Sequence, residues 1–186
     1  MPNRIRTALL SLLLVLGAAA GAHAQQGFAL KGHYIFNSSA VSEERADTFP
    51  DANGFSIGAE IVLPFGIGVG VSGYTAGGVT EQDVETSSLN VLAEANYFLD
   101  LPLLPISPYA GVHAGLGRFS KEDLDDPQAP EIEDTRTQLG FQVGVRVQLN
   151  SLLGLDAQYR RVSTSAAENQ ESGLDRNQYL VGVTLF

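Results

Sequence analysis

The sequence predicts an all-β fold, an eight-stranded antiparallel up-and-down transmembrane β-barrel, and three observations carry that prediction. The first is alternation. Over Thr135–Leu149 the apolar residues Leu139, Phe141, Val143, Val145, Val147 and Leu149 interleave with Gln138, Gly140, Gln142, Gly144, Arg146 and Gln148. A period of two puts hydrocarbon on one face and polar or glycine residues on the other. The run also exceeds an ordinary globular strand of about 5–6 residues and suits a tilted bilayer crossing of about 9–11. The second is that short and long connections take turns along the chain, the plan of a barrel with tight turns on one side of a membrane and loops on the other. The third is that the apolar phase reads as free of charge between the loops. An Arg or Lys facing lipid costs roughly 2–4 kcal/mol at the midplane.

The chain begins with Asn3-Arg4-Ile5-Arg6, continues as an apolar run from Ala8 to Ala20, and reaches Ala22-His23-Ala24. A basic start, a short apolar core and an A-x-A ending read as a secretory signal peptide over residues 1–24. The apolar run is too short for a spanning helix, which needs about 20 residues. The remaining residues, 25–186, are expected to form one barrel domain with no repeat beyond the hairpin. The chain holds 11 basic and 21 acidic residues. Without Arg4 and Arg6 the mature part has 9 against 21, a net charge of −12, which repels nucleic-acid phosphates. With no cysteine there is neither a disulfide nor a thiolate metal site, and no cofactor is implied.

The strands follow in order. Gly27–Phe36 sets Phe28, Leu30, Tyr34 and Phe36 against Lys31 and His33. Asn53–Leu63 sets Phe55, Ile57, Ala59, Ile61 and Leu63 against Ser56, Gly58 and Glu60. Pro64-Phe65-Gly66 is a tight turn, Pro fixing φ and Gly accepting a positive one. Ile67–Ala76 sets Ile67, Val69 and Val71 against Gly68, Gly70, Ser72 and Tyr74. Ser88–Leu99 sets Leu89, Val91, Ala93, Ala95 and Tyr97 against Asn90, Glu94 and Asn96, with Leu92 and Phe98 breaking the pattern. Asp100–Pro108 carries three prolines and is expected to lie outside any ladder. Tyr109–Phe119 sets Ala110, Val112, Ala114 and Leu116 against Gly111, His113, Gly115 and Gly117. After Thr135–Leu149 and a turn at Asn150-Ser151, Leu153, Leu155, Ala157 and Tyr159 alternate with Asp156, Gln158 and Arg160. Asn177–Phe186 closes the chain, with Tyr179, Val181, Val183 and Leu185 on its apolar face. The long connections are residues 37–52, 77–87, 120–134 and 163–176, and they hold 17 of the 21 acidic residues.

Alternation alone does not separate a membrane barrel from a soluble one whose apolar side chains point inward. Glycine decides the matter together with the uncharged apolar face. Gly68, Gly70, Gly115, Gly140 and Gly144 share the polar face with the charges, and a narrow eight-strand interior accepts Arg and Lys only beside small neighbours. Aromatics gather near strand ends and read as two interfacial girdles: Phe28, Phe65, Tyr97, Tyr109 and Phe186 on the short-turn side, Phe36, Phe55, Phe119 and Tyr159 on the other. The inward ionisable set is then Lys31, Glu60, Glu94, Arg146, Asp156 and Arg160, three bases and three acids. In a poorly hydrated lumen these must pair. The expected role is a structural charge network that plugs the barrel; the competing one is a gated path for protons or small solutes.

The mature chain resembles the eight-stranded outer-membrane β-barrels of the OmpA/OmpX type, the porin-family outer-membrane β-barrel domains. The carriers are the signal peptide, Pro108-Tyr109-Ala110-Gly111 opening a glycine-alternating strand, Leu155-Asp156-Ala157-Gln158-Tyr159-Arg160, and the C-terminal Tyr-Leu-Val-Gly-Val-Thr-Leu-Phe. The resemblance implies a location in the outer membrane of a Gram-negative cell, contact with its lipids and lipopolysaccharide, and recognition of a terminal aromatic, here Phe186, by the barrel-insertion machinery. Phe186 is in phase with Gly182 and Thr184 rather than with Leu185, which implies a bulge or a frayed end.

Other chemistry is thinner. His33 and His113, the two histidines of the mature chain, face inward and read as lumen hydrogen-bonders rather than as parts of a Ser/His/acid set. No enzyme is expected, with lipid modification as the remote alternative. Lys121–Asp134 holds seven carboxylates, Glu122, Asp123, Asp125, Asp126, Glu131, Glu133 and Asp134, which suit weak binding of divalent cations but lack the EF-hand's Gly and Glu spacing. The main reading is a closed scaffold with an envelope-integrity or surface-interaction role; the alternative is a small-solute or ion-conducting channel.

Overall fold

A computed structural model describes residues 27–40, 52–63, 66–79, 84–99, 105–123, 132–165 and 174–186. The signal peptide over residues 1–24 lies outside the described residues, as do Pro64, Phe65 and most of the acidic stretch between the fifth and sixth strands. Eight strands run in chain order: β1 (Phe28–Ala40), β2 (Ala52–Leu63), β3 (Ile67–Val79), β4 (Val84–Phe98), β5 (Ile106–Asp123), β6 (Ile132–Gln148), β7 (Leu153–Thr164) and β8 (Leu174–Leu185). Each pairs antiparallel with its neighbours, and β8 pairs with β1 to close the barrel. Closure leaves no edge with unpaired backbone groups, which a bilayer requires of any spanning sheet.

The strands are strongly tilted. Following ladder partners once around from Lys31 passes Gly58, Ser72, Leu92, Gly115, Gln138 and Thr164 and arrives at Leu174. The residue facing Lys31 across the closing seam is instead Thr184, ten residues further along β8. That stagger links strand number to tilt, and it brings residues distant in sequence to one level of the lumen.

The barrel is inverted relative to a water-soluble one. Ile57, Leu89 and Leu139 are 69%, 63% and 64% exposed, whereas Glu60 and Arg160 are each 1% exposed. Small inward residues make room for large ones. A Cβ on Gly144 would stand 2.5 Å from the Tyr109 ring, and one on Gly68 2.8 Å from that of Phe98. Gly66 has φ 78°, the left-handed conformation expected at the β2–β3 turn.

Several expectations are corrected. Strands reach further at the long-loop end than the alternation suggests, because all eight take in residues of the four long connections. Ile106–Pro108 belong to β5, with Pro108 opposite Val145. A strand end tolerates a missing donor, and the Pro108 carbonyl still accepts from Leu99 N at 2.8 Å. Tyr109 is 6% exposed and points into the lumen, not into a girdle. Phe119 shares the inward phase, with the Arg136 guanidinium 5.7 Å from its ring centroid. The β7–β8 register runs unbroken to Leu185, and Phe186 N donates to the Leu152 carbonyl, so neither a bulge nor fraying marks the last strand. The bulge is in β1 instead, between Ile35 and Asn37. Finally, Arg118 and Arg161 face outward at the long-loop ends of β5 and β7. There the cost of a cation falls to about 0–1 kcal/mol.

Candidate functional site: the barrel interior

All six predicted lumen ions are buried, and they form one alternating chain. Asp156 Oδ2 accepts from Arg146 Nε at 3.0 Å, and Arg146 Nη1 donates to Glu60 Oε1 at 3.0 Å. Glu60 Oε2 lies 3.4 Å from Lys31 Nζ, which approaches Glu94 Oε2 to 2.7 Å. Glu94 Oε1 then accepts from Arg160 Nη2 at 3.0 Å. Sign alternates at every step from Asp156 to Arg160, although five strands contribute. Uncharged groups add further bonds: Asn96 Nδ2 donates to Glu60 Oε2 at 2.8 Å, Gln142 Nε2 to Asn96 Oδ1 at 2.7 Å, and Ser72 Oγ to Glu94 Oε1. Arg160 Nε and Nη1 and Gln142 Oε1 have no hydrogen-bond partner among the described residues. Buried ions are tolerable in this form because each charge meets an opposite one and a hydrogen bond.

At the short-turn end the chain is capped by rings. The Arg146 guanidinium lies 4.7 Å from the Phe98 centroid, 5.9 Å from that of Tyr109 and 6.0 Å from that of Phe186. Tyr109 donates its hydroxyl to Asp156 Oδ1 at 2.8 Å, and His33 Nε2 stands 3.2 Å from the same oxygen. Alternation misses this cage because Tyr109 and Phe186 sit near strand ends and read as interfacial, while Phe98 reads only as a break in the pattern. The signal was present in the phase: Tyr109 is two residues from Gly111, and Phe98 two from Asn96.

Towards the long-loop end an apolar cluster interrupts the polar lumen. Ile35, Tyr74, Leu92 and Leu180 form a buried cluster inside the barrel. On its own strand each lies on the long-loop side of the polar layer: Ile35 beyond Lys31, Tyr74 beyond Ser72, Leu92 before Glu94, Leu180 before Thr184. Above it, Gln138 Nε2 donates to Asn90 Oδ1 at 2.7 Å, and Tyr74 to Gln138 Oε1 at 3.3 Å. His113 is 2% exposed, but neither ring nitrogen has a hydrogen-bond partner among the described residues, contrary to its expected role. Of the acidic stretch Lys121–Asp134, Glu122, Asp123, Glu133 and Asp134 fall in β5 and β6, and Asp134 accepts from Arg136 Nε at 2.7 Å. Asp125, Asp126 and Glu131 lie outside the described residues.

A closed, inverted eight-strand barrel agrees with the comparison to known families. The model of the outer membrane protein beta-barrel domain matches residues 8–185. The chain belongs to this family. This outer-membrane β-barrel protein is accordingly placed in the outer membrane of Gram-negative cells. Among similar solved structures is Neisserial surface protein A, at 22% identity and a TM-score of 0.67, over 86% of this chain and 96% of that one. Ail, the attachment invasion locus protein of Yersinia pestis, matches at 15% identity and 0.55, over 86% and 98%. OprG of Pseudomonas aeruginosa matches at 12% identity and 0.52, over 85% and 94%. At these identities the likeness concerns the fold. No curated protein sequence matches the chain.

Proposed function

We propose that this outer-membrane β-barrel protein is a closed, non-enzymatic scaffold, contributing to envelope integrity or surface interaction rather than to transport. One observation carries the reading: the unbroken chain runs from Asp156 and the ring cage at Arg146 to Arg160, whose guanidinium lies 5.7 Å from the ring of Tyr74 in the apolar cluster with Ile35, Leu92 and Leu180. Eight strands enclose an interior that side chains just fill, with rings against Arg146 at one end of the ion chain and the apolar cluster against Arg160 at the other. The test is conductance of the refolded mature chain in planar bilayers. Absence of discrete steps is the expected result; stable single-channel openings would refute a sealed lumen.

A small-solute or ion path is the second reading, and one feature favours it. Lys31 is shared unequally, 2.7 Å from Glu94 and 3.4 Å from Glu60, so its ammonium can move between carboxylates without losing a partner. Under that reading Glu94→Ala changes conductance; under a plug it chiefly lowers stability. Lipid modification is tested by mass spectrometry of lipid A from cells with and without the protein, and an unchanged lipid A profile is expected. In the cell the proposed partners are outer-membrane lipids and lipopolysaccharide, together with the insertion machinery reading the strand that ends in Phe186. Weak divalent-cation binding by the acidic connections belongs to the same proposal, and calorimetry showing no millimolar Ca²⁺ binding would remove it.

A further inference from the structure

The ion chain accounts for the interior but leaves one feature of the outer wall without a role. Outward-facing aromatic rings near the long-loop end cluster on one side. Phe55 on β2 meets Tyr34 on β1 edge-on, with centroids 5.2 Å apart. Phe36 on β1 then approaches Tyr179 on β8 at 6.0 Å, Tyr179 meets Tyr159 on β7 at 5.4 Å, and Tyr159 meets Phe141 on β6 at 6.2 Å. On β3, β4 and β5 the ladder row that continues from Phe55 holds Thr75, Leu89 and Arg118, none with an aromatic ring. Anchoring at the headgroup level in general calls for rings around the whole circumference, so it does not explain an arc.

A charged pair within the arc gives a second observation. Arg161 and Asp175 face outward near the long-loop ends of β7 and β8. Arg161 sits inside the arc. Its ladder partners are Phe141 on β6 and Asn177 on β8, and Tyr159 precedes it by two residues on the same face. Tyr159 donates its hydroxyl to Asn177 Oδ1 at 2.8 Å, which fixes the ring beside the guanidinium. Asp175 Oδ2 takes Arg161 Nη2 at 3.0 Å, and the arginine side chain remains 38% exposed.

We propose that the arc of Phe141, Tyr159, Arg161, Tyr179 and Phe36 docks the phosphorylated glucosamine headgroup of an outer-leaflet glycolipid, the lipid A part of lipopolysaccharide. The flat guanidinium matches phosphate oxygens, which Lys would meet only as a point charge. The rings offer apolar faces to the C–H face of a pyranose. Acyl chains continue downward over Val145, Ala157 and Val181, which form one ladder row below the rings. Asp175 orients Arg161 and at the same time opposes an incoming phosphate, so the two residues act on affinity with opposite sign. The assignment rests on the outer-membrane placement and is independent of whether the lumen conducts.

The test uses the refolded mature chain in detergent, with native mass spectrometry reading bound lipid. The probes are diphosphoryl lipid A, its dephosphorylated form and phosphatidylglycerol at equal concentration. Diphosphoryl lipid A is expected to be retained in preference to both other probes. Arg161→Gln should lower its retention about tenfold, the order expected for loss of one charge-assisted contact, and Asp175→Asn should raise it. If Arg161→Gln does not refold, as judged by heat-modifiable migration, Asp175→Asn decides alone. Equal retention of phosphatidylglycerol would overturn the proposal by showing that any anionic headgroup suffices. An unchanged Arg161→Gln, an Asp175→Asn without gain, or a lipid-independent dimer abolished by Arg161→Gln would overturn it too, the last assigning the arc to a second copy of the chain.

Discussion

Two ion pairs in this protein have the same length and opposite surroundings. Arg146 Nη1 to Glu60 Oε1 and Arg161 Nη2 to Asp175 Oδ2 are both 3.0 Å. The first pair has side chains 5% and 0% exposed, deep in the lumen; the second has 38% and 41%, on the outer wall. Distance therefore says little about what either pair contributes. The inner pair cannot be broken without stranding a charge in a poorly solvated interior, whereas each partner of the outer one is re-solvated when the other is removed. The inner pair also belongs to a chain whose members share partners, so its loss is felt along the whole sequence from Asp156 to Arg160.

The largest expected effect follows from this contrast. Arg146→Ala leaves Glu60 and Asp156 without their guanidinium and should cost about 3–5 kcal/mol, read from urea unfolding of the refolded barrel in vesicles. A loss below about 1 kcal/mol would mean that the interior is wet enough to treat its charges as surface ones. Next comes the apolar cluster. Leu92→Ala should cost about 2–5 kcal/mol by opening a cavity between ionic layer and outer end, in the same unfolding assay. Tyr109→Phe removes only the hydroxyl that donates to Asp156. A hydrogen bond to a charged group is worth about 1.5–3 kcal/mol, and the ring would stay in the cage. The smallest effect belongs to the outer wall. A double-mutant cycle on Arg161 and Asp175 should give a coupling of about 0–1 kcal/mol, shrinking as salt is raised. A coupling as large as the loss for Arg146→Ala would erase the distinction between the two surfaces.

Much of this was legible in the sequence, and what was missed has physical causes. Period-two alternation identified the eight strands and the inward face, and it placed Lys31, Glu60, Glu94, Arg146, Asp156 and Arg160 in the lumen. It could not say which ion meets which. Arg146 and Glu60 stand 86 residues apart and share a level only because the ladder rises around the barrel. Aromatics were harder, because rings at strand ends serve both interface and core. Position suggested a girdle for Tyr109 and Phe186, while their phase with Gly111 and Thr184 indicated the interior. Strand ends beyond the bilayer were also missed, since polar residues there pair their backbones without the hydrophobic alternation that marks a lipid-facing segment. The bulge in β1 has no sequence signature of its own, and it shows only as a shift in partners after Ile35.

The most direct test is planar-bilayer conductance of the refolded wild type measured beside Arg146→Ala. With ions paired end to end and rings and hydrocarbon at the two ends, wild type should show no discrete openings, and Arg146→Ala should lose stability before it gains any. Steady single-channel currents from wild type, altered in size by the substitution while unfolding stays unchanged, would show a lumen built to conduct and would contradict the sealed interior described above.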